Sequence, residues 1–164
     1  MITYRRRVAS DYPGIAKLIY EIFGILELDD ALGGIENGRY LLALDGKEII
    51  ALCGINESDY YNSLEVDYVG TKKEYRNQGI MTWLFEHELD RVGEDIDVYC
   101  SCWGMYDRDV NLKHIMKRFG FELVTPHAVT VSSNYRRNCE FCIEYRKECY
   151  CREDLYLRKG YRMT

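Results

Sequence analysis

The sequence predicts a single α/β domain in which a run of hairpin-connected strands precedes a helical crossover. Its 164 residues, 47% of them hydrophobic, are enough for one compact domain with a sizeable core. Segments that alternate with a period of two are interleaved with segments of helical spacing, and an Asp45-Gly46 turn joins two apolar runs. These observations predict a sheet with helices packed on it.

The N-terminal part is predicted as a strand followed by a helix. Residues 2–8 alternate weakly, and Ser10-Asp11 supply an N-cap before Tyr12-Pro13, which places proline in the first turn. Apolar residues then recur at 3.6-residue spacing until Gly24: Ile15, Leu18, Ile19, Ile22 and Phe23. An acidic patch at 27–30 and a short helix or loop ending in glycines come next.

The middle of the chain is predicted as a hairpin, a third strand and a second helix. Residues 39–44 and 48–55 flank the Asp45-Gly46 turn, and residues 63–71 form the next strand. One face of a helix over 80–92 is apolar, at positions 81, 84, 85, 89 and 92, and Gly93 closes it. This helix is expected to pack on the sheet.

The C-terminal part continues the alternation of strands and helices. A strand over 96–102 precedes a short helix over 111–119, which Gly120-Phe121 ends. Further strands are predicted at 121–124, 128–132, 139–145 and 154–158.

Charge and hydropathy exclude several classes of protein. The net charge is −5, with 14 Lys+Arg against 22 Asp+Glu in residues 1–134 and 8 against 5 in residues 135–164. An acidic body disfavours broad binding to nucleic-acid phosphates and favours attraction of a cationic small molecule, although the charge can also serve solubility alone. No apolar run approaches the ~20 residues of a membrane span, and no signal peptide is evident, so we expect a soluble cytoplasmic protein.

The segment from Val66 to Met81 predicts an anion site. A strand that leads through a turn into a helix places unpaired amides and the positive end of the helix dipole at the turn. Gly79 permits close approach of the backbone, and Arg76 can add a charge-assisted contact to phosphate. Common nucleotide and hydrolase motifs are missing from the sequence: GxxxxGK[ST], GxGxxG, GxSxG and HExxH.

This segment resembles the acyl-CoA motif [QR]xxGx[GA] of the GNAT-type N-acetyltransferase family, with Arg76 and Gly79 at the matching positions. Residues 112–121, a helix ending in Arg-Phe-Gly-Phe, are similar to the family's later motif. The order of elements from residue 1 to about 135 is also similar. The resemblance therefore covers most of the chain.

The resemblance implies a mixed, mostly antiparallel central sheet flanked by helices, with a core at 1–135. Residues 136–164 are predicted to add a Cys-rich C-terminal hairpin to this core. It implies an enzyme that moves an acetyl group directly from acetyl-CoA to a primary amine of a small molecule or peptide, and a possible homodimer. Backbone groups of Val69 and Thr71 would bind pantetheine. The pyrophosphate would be bound by Arg76, Asn77, Gln78, Gly79, Ile80 and Met81.

Two positions depart from the family pattern. Met81 stands where the family prefers glycine or alanine, and Met116 stands where many members carry a tyrosine that protonates the leaving thiolate. The usual general acid is therefore missing. An alternative is a non-catalytic module of the same fold that binds CoA or a protein and is stapled by structural zinc.

The catalytic candidates lie near the strand at 63–71. Glu65, Asp67, Val69 and Thr71 are spaced two residues apart, so we expect all four side chains on one face of the strand. Either carboxylate can act as the base, and the alternative is that both are merely solvated. Tyr106 is the candidate acid. Acidic residues before residue 40 favour a cationic acceptor: Glu21, Glu27, Asp29, Asp30 and Glu36.

Four of the seven cysteines cluster in the tail as CxxC and CxC: Cys139, Cys142, Cys149 and Cys151. Two close thiolate pairs can complete a tetrahedral zinc site, whereas reduced free thiols or a redox pair are the alternatives. Cys53, Cys100 and Cys102 lie in apolar strands and are expected to be buried.

Overall fold

The computed structural model describes residues 1–23, 35, 38–58, 63–105, 112–129 and 151–160, without the side chains of 103–105, 125–129 and 151–153. These residues form two compact units, Met1–Glu94 and Asp95–Thr164. The predicted strand at 139–145 and the acidic patch at 27–30 lie outside the described residues. The prediction of a single domain over 1–164 stays a prediction.

The first unit is a four-stranded antiparallel sheet with two helices. Its strands are β1 (Ile2–Arg6), β2 (Tyr40–Asp45), β3 (Glu48–Glu57) and β4 (Ser63–Thr71), and they pair in that order. The helices are α1 (Tyr12–Phe23) and α2 (Ile80–Val92). Every element agrees with the predicted order, and the β2–β3 hairpin turns at Gly46, whose φ is 60°.

The start of α1 differs from the predicted Ser10-Asp11 cap. A single 3-10 turn, Ala9–Asp11, precedes the helix. The Asp11 carboxylate accepts the Val8 amide at 2.8 Å and both terminal nitrogens of the Arg5 guanidinium at 2.6 and 2.8 Å. Asp11 thus ties the turn back to β1, because Arg5 is the next-to-last residue of that strand.

The two helices cover opposite faces of this sheet. Residues of α1 form a buried cluster with side chains of β2 and β3: Ile15, Leu18, Ile19, Tyr40, Leu42, Leu44, Ile49 and Leu52. On the other side, Trp83 of α2 stacks on Tyr4 of β1, with ring centroids 3.9 Å apart. Tyr4 pairs with Ala43, which lies on the face of β2 opposite to Leu42 and Leu44. Both sheet faces therefore contribute to cores.

The second unit is a three-stranded antiparallel sheet with one short helix. β5 (Asp97–Met105) pairs with β7 (Cys151–Arg158), which pairs with β6 (Glu122–Val129), and α3 spans Lys113–Arg118. A single strand, β6, runs through 122–129, where separate strands were predicted at 121–124 and 128–132, and residues 130–132 lie outside the described part of the chain. Its pairing is irregular between Thr125 and Val129, where Pro126 has no amide to donate to the ladder.

The mixed α/β fold with antiparallel strands and flanking helices is confirmed. Cys53, Cys100 and Cys102 are buried and reduced, as expected. Among the described residues, no helix is long and apolar enough to cross a membrane. The Cys-rich hairpin predicted for the tail lies largely outside the described residues.

Candidate functional site

The turn between β4 and α2 has an irregular backbone that brings the chain into the helix. A 3-10 turn, Lys73–Tyr75, is followed by Asn77 with φ of 62° and Gly79 with φ of 77°. Arg76 Nε donates to the Thr71 carbonyl at 3.1 Å, and Gln78 Nε2 donates to the Glu74 carbonyl at 3.3 Å. Two left-handed residues within three positions explain why the sequence carries Asn and Gly here.

The N-terminus of α2 has backbone amides that are not used within the helix. Gly79 is the N-cap and has no side-chain cap, and the Trp83 amide donates to the Gly79 carbonyl at 3.0 Å. The amides of residues 80–82 precede this bond, so helix geometry leaves them without intrahelical acceptors. No atom lies within 4 Å of the position that a Gly79 Cβ would occupy. The geometry of the turn therefore suits an anion at the positive end of a helix dipole.

The predicted binding residues contribute to this site in different ways. Arg76, Asn77, Gln78 and Gly79 are exposed, whereas the Ile80 side chain is 3% exposed. Only the backbone amide of Ile80 is therefore available to a ligand. Met81 is half-buried, so it contributes partly to packing.

A buried hydroxyl without a partner lies at the end of β4. Thr71 Oγ1 is inaccessible to solvent and has no hydrogen-bond partner within the described part of the chain. Buried hydroxyls are normally paired, because desolvation without a hydrogen bond is costly. Thr71 ends β4 and lies two residues before the turn that starts at Lys73, so its hydroxyl is placed to serve a ligand that runs from the turn along β4. The residues present thus fit a phosphate-bearing ligand.

An ion-pair cluster fixes the first residue after β4. Lys72 is 7% exposed, and its Nζ lies 2.7 Å from Glu21 Oε2 and 2.6 Å from Glu48 Oε1. Hydrogen bonds to these two carboxylates raise the pKa of Lys72. The Lys72 amide also donates to the Ile50 carbonyl. Sequence inspection missed this cluster, because its members are separated by 24 residues or more.

A β-bulge in β4 changes which face of the sheet its residues occupy. Gly70 pairs with Leu52 and Asp67 pairs with Gly54, so Tyr68 and Val69 together oppose the single residue Cys53. Tyr68 adopts φ of 34°, which is unusual for a residue with a side chain.

The bulge divides the four residues that were expected on one face. Glu65 and Asp67 share the face of Gly54, towards α1, whereas Val69 and Thr71 face the opposite side. The prediction that all four point to one face is therefore wrong, because the extra residue inverts the alternation.

Asp67 lies at the centre of a hydrogen-bonded cluster. Its Oδ2 accepts Tyr40 Oη at 2.6 Å and Asn56 Nδ2 at 3.3 Å. Burial raises the pKa of the Asp67 carboxyl, although hydrogen bonds from Tyr40, Asn56 and the Tyr68 amide oppose the shift. Burial also raises the pKa of Tyr40, so the phenol is a donor at physiological pH. Asp67 is thus a stronger base than an ordinary surface carboxylate.

The remaining candidates are placed less fully. Glu65 is half-buried on the same face as Asp67. Met116 is fully buried and packs in the core, where it has no proton to supply. Tyr106 lies outside the described residues, as do Cys139, Cys142, Cys149 and the side chain of Cys151. The described residues contain no group of three or more His, Cys, Asp or Glu that can hold a metal ion.

The sequence matches one family model over most of its length. Residues 10–121 match the model described as the Acetyltransferase (GNAT) family. No curated protein sequence matches the chain.

Solved structures with the same fold are numerous but distant in sequence. The "IAA acetyltransferase" from Bacillus cereus ATCC 14579 has a TM-score of 0.71 at 13% identity, with 98% of this chain and 100% of that chain covered. The ribosomal-protein-S18-alanine N-acetyltransferase from Escherichia coli has a TM-score of 0.67 at 12% identity, with 100% and 96% covered. A GNAT family acetyltransferase from Elizabethkingia anophelis with acetyl-CoA bound has a TM-score of 0.64 at 16% identity, with 96% and 97% covered.

Proposed function

Because the chain belongs to the GNAT acetyltransferase family, we propose that it moves an acetyl group directly from acetyl-CoA to a primary amine of a small molecule or peptide. The observation that carries this proposal is the open N-terminus of α2, where Gly79 with φ of 77° caps a helix whose first amides have no intrahelical acceptor. Such a terminus suits a pyrophosphate.

The geometry of β4 and the turn supports the proposed cofactor-binding residues. The amides of residues 76–81 would hold the pyrophosphate, and backbone groups of Val69 and Thr71 would bind the pantetheine arm. The unpaired Thr71 hydroxyl supports this assignment, since a ligand along β4 would supply its missing partner. Bound there, acetyl-CoA supplies an activated acyl group as a thioester.

The chain's own residues would handle the proton of the acceptor. In the transfer, the amine nitrogen bonds to the acetyl carbonyl carbon as the carbon–sulfur bond breaks, the nitrogen loses a proton to a base, and CoA leaves as a thiol. Asp67 or Glu65 is the proposed base. Burial raises the pKa of Asp67, which supports it over a fully solvated carboxylate. Tyr106 remains the proposed acid.

The partner that suits this site is a cationic amine. The net charge of −5 and the carboxylates Glu65 and Asp67 on one face of β4 both favour a positively charged acceptor. The E. coli structural neighbour is named as an N-acetyltransferase of an alanine of ribosomal protein S18, which supports an amine as the acceptor class. A cytoplasmic location, a homodimer and the lack of a nucleic-acid partner complete the proposal.

A zinc site in the tail is a separate proposal. Its support is the CxxC and CxC spacing of Cys139, Cys142, Cys149 and Cys151, since zinc prefers a closed shell of thiolates when structural. Elemental analysis of protein purified without chelator should find about one zinc per chain. A content well under one equivalent would rule out a tightly bound site and leave reduced thiols.

Calorimetry and a thiol-release assay test the main proposal. Titration of the purified chain with acetyl-CoA should give saturable binding, and a panel of primary amines should include one that releases free CoA thiol. Lack of binding at millimolar acetyl-CoA would contradict the cofactor assignment. Binding without turnover on a broad panel would instead favour the non-catalytic module.

A further inference from the structure

Three residues on adjacent strands form a row at the centre of the first unit. Tyr40 of β2 pairs with Gly54 of β3, and Gly54 pairs with Asp67 of β4, so all three share one face of the sheet. The middle position lacks a side chain. The Tyr40 ring therefore has room to lie across β3 and reach β4.

The structure shows why the middle residue must be glycine. A Cβ at Gly54 would lie 2.7 Å from both Cδ1 and Cε1 of the Tyr40 ring and 3.1 Å from the Arg39 carbonyl oxygen. Such distances are shorter than van der Waals contact allows. The ring occupies the place of the missing side chain, and its hydroxyl donates to Asp67 Oδ2 at 2.6 Å.

A second donor holds the same carboxylate oxygen. Asn56 Nδ2 donates to Asp67 Oδ2 at 3.3 Å, while Asn56 Oδ1 accepts the Arg39 amide at 2.8 Å. The Arg39 bond fixes which end of the Asn56 amide faces Asp67. These two donors use both lone pairs of Oδ2. The Tyr68 amide also donates to the Asp67 carboxyl, and Oδ1 still has a lone pair that can accept a proton.

We propose that Tyr40 is a positioning residue for Asp67, and that the row Tyr40–Gly54–Asp67 fixes Asp67 as the carboxylate that takes the proton of the acceptor amine. This inference rests on the proposed function. Tyr40 is 0% exposed and its hydroxyl stays protonated, so it acts through Asp67. The hydrogen bond has two effects: it orients the carboxylate and it stabilises the ionised form against the cost of burial.

Other titratable groups lie around Tyr40 and Asp67 and contribute to the electrostatic potential at the Asp67 carboxyl. Arg7 follows β1, Tyr12 lies on α1, and Glu65 and Tyr68 lie on β4. They are left unchanged by the substitutions below. A change in the titration of Asp67 can therefore be assigned to the altered row.

The test uses Tyr40→Phe, which keeps the ring and removes only the hydroxyl. Carbon-13 NMR of the Asp67 carboxyl should show a higher pKa in the variant than in the parent. The acid limb of the pH profile of kcat/KM should move to higher pH by a similar amount, because a charge-assisted hydrogen bond to the carboxylate is lost. At pH values below the pKa of Asp67 in the variant, kcat/KM should be about tenfold or more lower than in the parent. The KM for acetyl-CoA should stay unchanged.

Two further variants separate positioning from general effects on the fold. Gly54→Ala leaves Tyr40 intact but displaces its ring, so it should shift the Asp67 titration in the same direction. Tyr20→Phe, at a tyrosine of α1 that is 48% exposed, should shift neither the titration nor the profile.

The outcomes distinguish the inference from the function on which it rests. An unchanged Asp67 titration in folded Tyr40→Phe would overturn the positioning role, and this measurement needs no turnover. A shifted titration with an unchanged kcat/KM profile would overturn Asp67 as the proton acceptor while leaving the acetyltransferase assignment standing. Lack of turnover in the parent chain would contradict the proposed function itself.

Discussion

The ammonium of Lys72 lies 2.7 Å from the Glu21 carboxylate, which joins the chain at the end of β4 to helix α1. Glu48 completes the cluster from the start of β3 at 2.6 Å. The anion-binding turn begins at the next residue. The position of this turn relative to the hydrophobic cluster under α1 therefore depends on one buried lysine, Lys72.

Lys72→Met should loosen the turn and weaken acetyl-CoA binding. Methionine keeps the apolar stem but loses both ion pairs, so the amides of residues 76–82 should exchange hydrogen faster. The Kd for acetyl-CoA should rise by about three- to tenfold, the scale of one or two lost hydrogen bonds. Hydrogen exchange and calorimetry measure the two effects. Lys17→Met is the matched control, because Lys17 is exposed and meets Glu21 only at 3.7 Å. Equal exchange rates in all three proteins would contradict this role.

Gly79→Asp should abolish acetyl-CoA binding without unfolding the protein. The new carboxylate would place a negative charge at the N-terminus of α2, where the pyrophosphate is proposed to bind, and would strain a φ of 77°. Gly46→Asp controls for strain and charge, because Gly46 also has a positive φ, 60°, and open space at its Cβ position. Calorimetry should find binding in the Gly46 variant alone. Loss of binding in both variants would contradict a specific effect at the turn.

Asp67→Asn should change how stability depends on pH. Burial raises the pKa of Asp67 above its ordinary 3.8, so the unfolded chain ionises at lower pH than the folded chain. Ionisation therefore favours unfolding, and this cost grows as pH rises from about 4 through the folded pKa. The melting temperature of Asp67→Asn minus that of the parent should be larger at pH 7 than at pH 3. The exposed Asp90 supplies the control, Asp90→Asn. A difference that is constant with pH would refute the raised pKa.

The ion pairs around Glu88 predict an asymmetry between two substitutions. Glu88 is 0% exposed and is held by Arg6 and by Arg91, whose Nη2 lies 3.1 Å away. Arg91→Leu should destabilise by about 3 kcal/mol, because it leaves a buried carboxylate incompletely paired. Glu88→Leu should cost less, since the arginine side chains are 28% and 46% exposed and can be rehydrated. Urea unfolding of the two variants measures the difference, and equal losses would contradict it.

Much of the fold could be predicted because local patterns are strong in this chain. The Asp45-Gly46 turn, the alternation of β2 to β4 and the apolar face of α2 all depend on residues close in sequence. The prediction for α2 still missed Glu88, since a charged residue is ordinarily assigned to solvent and only its two arginine partners make its burial tolerable. The two strands predicted around Pro126 became one, because the partner strand β7 continues past the proline.

The candidate site was predictable where its residues are contiguous and not where they are dispersed. Arg76 to Met81 follow one another, so the motif and its proposed anion site could be predicted from the sequence alone. The role of Tyr40, Asn56 and Lys72 could not, because each meets its partner across 11 to 51 residues of chain.

The sequence by itself determined most strands and helices, the family and the place where a phosphate is proposed to bind, because each depends on short-range spacing. Tertiary structure decided which way β4 presents its carboxylates: one extra residue at Tyr68 inverts the alternation and separates Asp67 from Val69 and Thr71. It also decided that Tyr40 reaches Asp67, since this contact requires three strands in register and a glycine between them. Register is a property of paired strands, and no single strand specifies it.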